Sequence, residues 1–259
     1  PGLPQRAMRS LGPSAGRRLL FIDWSTPRPD SDAGSITAYY LMKILVDLGY
    51  DVVFAPDDMR RAGRYTEALE AFGVTCLSVE RDGPLLQHLQ REGRGYDYAL
   101  ICRSPFAERW LEPIRKHAPA ARVILNTSDL YFLRELRGAE LSGSVEQMSE
   151  ALERKARELD IIRRCDRTIV MSDRELQILR EEAPEARVDL VPLLFVDIPG
   201  RSSGFETRGD ILFIGGYLHR PNVDAVAWFC AEVWPLVRAR LPDVRLHLIG
   251  SNPDAEIHA

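Results

Sequence analysis

Arg18-Leu-Leu-Phe-Ile-Asp-Trp24 and Asp51-Val-Val-Phe-Ala55 are two apolar runs, separated by Ser35-Ile-Thr-Ala-Tyr-Tyr-Leu-Met-Lys-Ile-Leu-Val-Asp-Leu48. Each run has the length and the Val, Ile and Phe content of a buried strand, and the stretch between them shows apolar faces at helical spacing. Gly49 follows as a stop, because a residue without Cβ tolerates the left-handed turn that closes a helix. Strand, helix, strand in this order predicts a parallel pair joined by a crossover.

The rhythm repeats outward from that unit. Helices are expected over 65–72, closed by Gly73, and over 84–92, 106–117, 145–164 and 173–182. Strands are expected over 74–77, 98–102, 121–126, 167–172 and 187–191. With the first two strands this makes seven, which predicts a doubly wound, Rossmann-like α/β domain over 17–196. Residues 1–16 read as a poorly ordered leader. Residues 197–209, rich in Gly, Pro and Ser, read as a linker. A second α/β unit starts at Asp210, with a strand over 210–216, a helix over 222–241 and a strand over 244–249. One βαβ unit buries too little to stand alone. The second domain is therefore expected to be only partly present in 210–259, with further strands in the natural protein.

Composition narrows the function classes. The chain has 259 residues, 45% hydrophobic and 28% charged, with a formal net charge of −4, so no global basic field favours nucleic acid. Cys76, Cys102, Cys165 and Cys230 are scattered without a C-x-x-C pair, which argues against zinc or a disulfide framework and for a reducing cytoplasm. No apolar run reaches membrane-spanning length. The basic leader (Arg6, Arg9, Arg17, Arg18) offers at most weak peripheral contact with the inner face of a membrane.

Ligands of open parallel sheets gather beyond the carboxyl ends of the strands. The loop ending in Gly34-Ser35 brings backbone N–H groups to a helix start, suited either to a phosphate or to simple capping. Asn126-Thr-Ser-Asp129-Leu-Tyr131 clusters polar groups after a strand, for hydroxyl recognition or, through Ser128 or Asp129, for capping. Ser172-Asp-Arg-Glu175 reads as a capping box. Gly215-Gly216-Tyr-Leu-His219-Arg220-Pro-Asn222 reads as an anion-binding turn with two side-chain cations, the alternative being a turn in which Asn222 caps the helix. His88, His117, His247 and His258 lack paired spacing, and the charged run 134–164 reads as a solvated helical face.

The segment from Ile211 to Gly250 closely resembles the start of the second domain of glycosyltransferase family four, retaining enzymes built from two Rossmann-like domains in the GT-B arrangement. Pro29-Asp-Ser-Asp-Ala-Gly-Ser35, Tyr65-Thr-Glu-Ala-Leu-Glu-Ala-Phe-Gly-Val74 and Asn126-Thr-Ser-Asp-Leu-Tyr-Phe-Leu-Arg-Glu135 are similar to segments of its first domain. The resemblance spans about residues 18 to 253. It implies transfer of a sugar from a nucleotide-diphosphate donor to a hydroxyl on a glycan, a lipid-linked or a small-molecule acceptor, without a cofactor or metal. It assigns Gly34, Ser35, Gly215, Gly216, His219 and Arg220 to the donor phosphates, and Asp129 and Tyr131 to sugar or acceptor.

The chain departs from the pattern at Tyr131, where relatives often carry His. The family's Glu-x7-Glu region, which contacts the donor, lies beyond Ala259, so this chain is expected to have little activity alone and its catalytic residues are not identified. Two other readings stand beside this one. The first is a non-catalytic GT-B-like binding or scaffold module. The second is a nicotinamide-dependent oxidoreductase with Asp57 on a ribose, which the missing G-x-G-x-x-G fingerprint weakens.

Overall fold

The computed structural model describes residues 16–192, 204–253 and 257. They divide into a larger unit, 16–29 and 34–192, and a smaller one, 30–33 and the residues from 204 on. The expected leader and most of the expected linker lie outside the described residues.

In the larger unit β1 (Arg18–Asp23) leads to α1 (Ala33–Asp47), β2 (Asp51–Pro56) and α2 (Arg64–Ala71). Next come β3 (Thr75–Cys76), the single turn α3 (Val79–Asp82), α4 (Leu85–Glu92), β4 (Tyr98–Cys102) and α5 (Ser104–His117). The unit finishes with β5 (Arg122–Asn126), α6 (Tyr131–Ser142), α7 (Val145–Arg164), β6 (Arg167–Val170), α8 (Asp173–Glu182) and β7 (Val188–Leu190). All seven strands run parallel, in the order β3-β2-β1-β4-β5-β6-β7. The chain winds outward from β1 through β3, then returns to lay β4 on the other side of β1. This reversal opens a crevice beyond the carboxyl ends of β1 and β4.

Strand alternation sends side chains to two cores. Leu19, Phe21, Val52, Phe54, Leu100 and Cys102 face α1 and α2, where Ala38, Met42 and Leu69 meet them. Leu20, Ile22, Val53, Ala55, Ala99, Ile101, Val123 and Leu125 face the other layer, which supplies Leu89, Leu111, Ile114, Leu159 and Ile162. Burial on both faces explains why these strands read as unbroken apolar runs. Gly49 and Gly73 end their helices at φ 86° and 105°, a region open to glycine at little cost.

Three readings change. α6 is a helix of its own, from Tyr131 and closed at Gly143, where only 145–164 was given helix bounds, and Leu130 holds its cap position without a side-chain bond. The charged run is not wholly solvated, since Glu158 of α7 is fully buried. The single helix expected over 222–241 is α9 (Arg220–Trp228), a π-helical turn (Phe229–Val233) and α10 (Trp234–Arg240). Pro235 has no N–H to continue an α-helical ladder, and the wider turn precedes it.

The smaller unit pairs β8 (Ile211–Ile214) in parallel with β9 (Leu246–Ile249), in a sheet separate from the first. Phe213 and Leu248 pack with Tyr217, Val223 and Val226. Leu212, Ile214 and Ile249, on the opposite face, are exposed.

Candidate functional site

At the reversal point of the large sheet, Asp23 ends β1 and Arg103 follows β4. Asp23 is 3% exposed, and its Oδ1 accepts Arg103 Nε at 3.1 Å and the Trp24 N–H at 2.8 Å. Burial works against the Arg103 charge, but the Asp23 carboxylate and the Tyr131 hydroxyl, both bonded to it, outweigh that and hold its pKa above the ordinary value. Arg103 sits at φ 72°, strained for a residue with a Cβ. Tyr131 thus joins the pair from the start of α6, and Arg134 lies over its ring at 4.6 Å while donating to Asp129 at 2.7 Å. The sequence-read residues Asp129 and Tyr131 therefore stand in one cluster with Asp23, Arg103 and Arg134, which the sequence did not single out. For Asp23 and Arg103 the only local hint was their position at strand ends.

Polar groups of the fold orient this cluster. Glu158, reaching from α7, accepts the Tyr131 N–H at 3.2 Å and the Phe132 N–H at 2.8 Å. Burial pushes its carboxyl above the ordinary value, partly countered by those amides. Glu175 closes the capping box with Ser172 at the start of α8 and also accepts the Leu130 N–H at 3.2 Å. Leu130, not Ser128 or Asp129, holds the cap position of α6. Ser128 instead takes φ 62°.

All four described non-glycine residues with positive φ lie just past strand ends: Met59 after β2, Arg103 after β4, Ser128 after β5 and Asn252 after β9. Such conformations persist only where the surrounding structure enforces them, and they concentrate at functional sites. Trp24, also at this edge, is 54% exposed.

Gly34 and Ser35 open the first turn of α1 beyond β1, with Ser35 buried. In the smaller unit Gly215, Gly216, His219 and Arg220 form the turn from β8 into α9. Gly215 N–H bonds Ile249 O at 3.0 Å, and Gly216 O accepts the His219 N–H at 3.2 Å and Asn222 Nδ2 at 2.9 Å. His219 is the helix cap by position, without a side-chain bond, and Asn222 lies inside the helix bracing the turn.

The glycines differ in cause. A Cβ on Gly250 would fall 1.8 Å from Gly215 O, and one on Gly215 would fall 2.8 Å from Asn222 Nδ2. A Cβ on Gly216 would meet only Ser251 Oγ, at an ordinary 3.6 Å. Internal packing thus explains Gly215 and Gly250. It does not explain Gly216.

Other chemistry is less well placed. Both Asp57 oxygens are engaged, one by Arg109 Nη1 and the other by Trp110 Nε1 at 2.7 Å. Burial pushes the Cys76 and Cys165 thiols up to about 12, so neither offers a thiolate near neutrality. Among the described residues no group of three His, Cys, Asp or Glu is arranged to hold a metal, and no helix is long and apolar enough to cross a membrane.

No protein-family model and no curated protein matches the chain. Solved structures do. Sucrose-phosphate synthase from Thermosynechococcus elongatus aligns with a TM-score of 0.58 and 14% identity, over 93% of this chain and 64% of that one. Phytolacca americana UGT2, complexed with UDP-2-fluoro-glucose and pterostilbene, aligns at 0.51 and 12% identity, over 93% of this chain and 72% of that one. Both are GT-B glycosyltransferases, and at these identities the likeness is one of fold: two Rossmann-like α/β units. The chain spans just under two thirds of the synthase.

Proposed function

We propose that this chain belongs to a retaining glycosyltransferase that moves a sugar from a nucleotide-diphosphate donor to a hydroxyl of a glycan, a lipid-linked or a small-molecule acceptor. The observation that carries the proposal is Gly216: a glycine that packing does not require, at the carboxyl end of β8 and the amino end of α9, in a GT-B fold. Donor phosphates would approach its backbone and the positive helix end, with His219 and Arg220 adding side-chain donors. Stabilising the charge on a leaving diphosphate is where such a reaction gains most. In the larger unit, Asp129, Tyr131 and Arg103 present hydroxyl-matching donors and acceptors on a braced frame.

The test is calorimetric titration of the full gene product with UDP-, GDP- and ADP-glucose. One donor is expected to bind, and Gly216→Ala, whose Cβ meets only an ordinary contact, is expected to weaken it about tenfold, the scale of one lost close contact of roughly 1.4 kcal/mol. Unchanged binding by that variant, or no binding by any donor, overturns the reading and favours a scaffold module.

A further inference from the structure

A second site lies at the same carboxyl edge of the large sheet, on the side of β2 and β3. It is an open depression of ≈ 560 Å³ lined by Arg60, Arg61, Ser78, Glu80 and Arg81. That volume admits a small ligand of sugar size.

The three arginines are held differently. Arg61 donates both terminal nitrogens to Glu70, at 2.7 and 2.8 Å, which leaves its Nε unused by that pair. Arg81 is fixed by Asp82 Oδ2 on Nε at 3.1 Å and by the Cys76 carbonyl on Nη2, which leaves Nη1. Arg60 follows the strained Met59 and makes no ion pair among the described residues, so its whole guanidinium is available. The adjoining loop is tied to this one by Thr26 Oγ1 on Arg60 O at 3.5 Å. Glu80 is the one carboxylate in the lining.

Two guanidinia locked in place beside a third that can swing form a receptor for an oxyanion with several acceptor oxygens. Arginine forks match phosphate in this way, and the pre-oriented pair loses little freedom on binding. A neutral sugar would leave Arg60 without a charged partner.

The geometry points to a phosphate-binding subsite made by Arg60, Arg61 and Arg81, with a phosphorylated sugar as the ligand class. This builds on the proposed transferase reading by making that compound the acceptor, but the subsite is tested without any donor. Glucose 6-phosphate, inorganic phosphate and glucose are titrated separately into the whole chain, by calorimetry at low and at raised salt. Glucose 6-phosphate is expected to bind tightest and inorganic phosphate more weakly. Glucose is expected not to bind.

Arg60→Ala breaks no internal bond. It is expected to weaken glucose 6-phosphate about fivefold, and Arg60→Glu more than tenfold, in the range of charge-assisted contacts. Arg238→Ala, an equal charge change on α10, is expected to leave binding unchanged. Equal affinity in the wild type and both Arg60 variants, an equal loss in Arg238→Ala, or no phosphate binding overturns the subsite. Failure of every nucleotide sugar to bind would sink the transferase reading while leaving this result intact.

Discussion

Glu158 and Asp23 are both carboxylates with almost no solvent contact, yet their partners differ. Glu158 is held above its ordinary value of 4.5, chiefly by burial. From pH 4.5 up to that raised value the native state keeps a proton that the unfolded chain has released, so its contribution is fully present in acid and declines as pH rises. Glu158→Gln cannot titrate, so its deficit against wild type should be largest near pH 4.5 and shrink by pH 7 in urea denaturation. A deficit that grows with pH would mean that the amides, not burial, dominate. Glu158→Ala strands two N–H groups and should cost about 3 kcal/mol. Asp23 faces a permanent cation. Asp23→Asn leaves Arg103 partly buried without its counter-charge and should cost about 3 kcal/mol, read from the urea midpoint.

Among the elements, the turn from β8 to α9 and the turn after β9 press against each other, and Gly250 marks the contact. Its missing Cβ admits the Gly215 carbonyl, so Gly250→Ala must force the two strand ends apart. The expected cost is about 3 kcal/mol, at the upper end for overpacking. It should appear as lost amide protection in β8 and β9 with β1 to β7 unaffected. Equal protection in both proteins would show that the turn relaxes freely. α6 teaches a related lesson about starts. Helices that begin with a local signal were legible, as with Ser172 and Glu175 for α8. α6 begins on a carboxylate 26 and 27 residues further along the chain, and no sequence window of helical length contains both partners.

For the whole molecule, apolar periodicity and glycine stops were enough to read seven parallel strands, most of their helices and a second α/β unit. Those signals are local: each strand's burial shows in its own composition, and each crossover shows in the order of elements. The resemblance of the segment from Ile211 agreed with the GT-B fold for the same reason. What the sequence could not reveal was which strand ends become neighbours. Asp23 and Arg103 are 80 residues apart and meet only because β4 returns beside β1, and Tyr131 reaches them only because β5 lies next to β4. The arginines at 60, 61 and 81 likewise share a depression only through the pairing of β2 with β3. The pattern of residues determined most of the elements and their parallel direction. The tertiary fold alone chose the side chains that share a site, because site chemistry depends on distances of a few ångströms between strand ends that the chain itself keeps far apart.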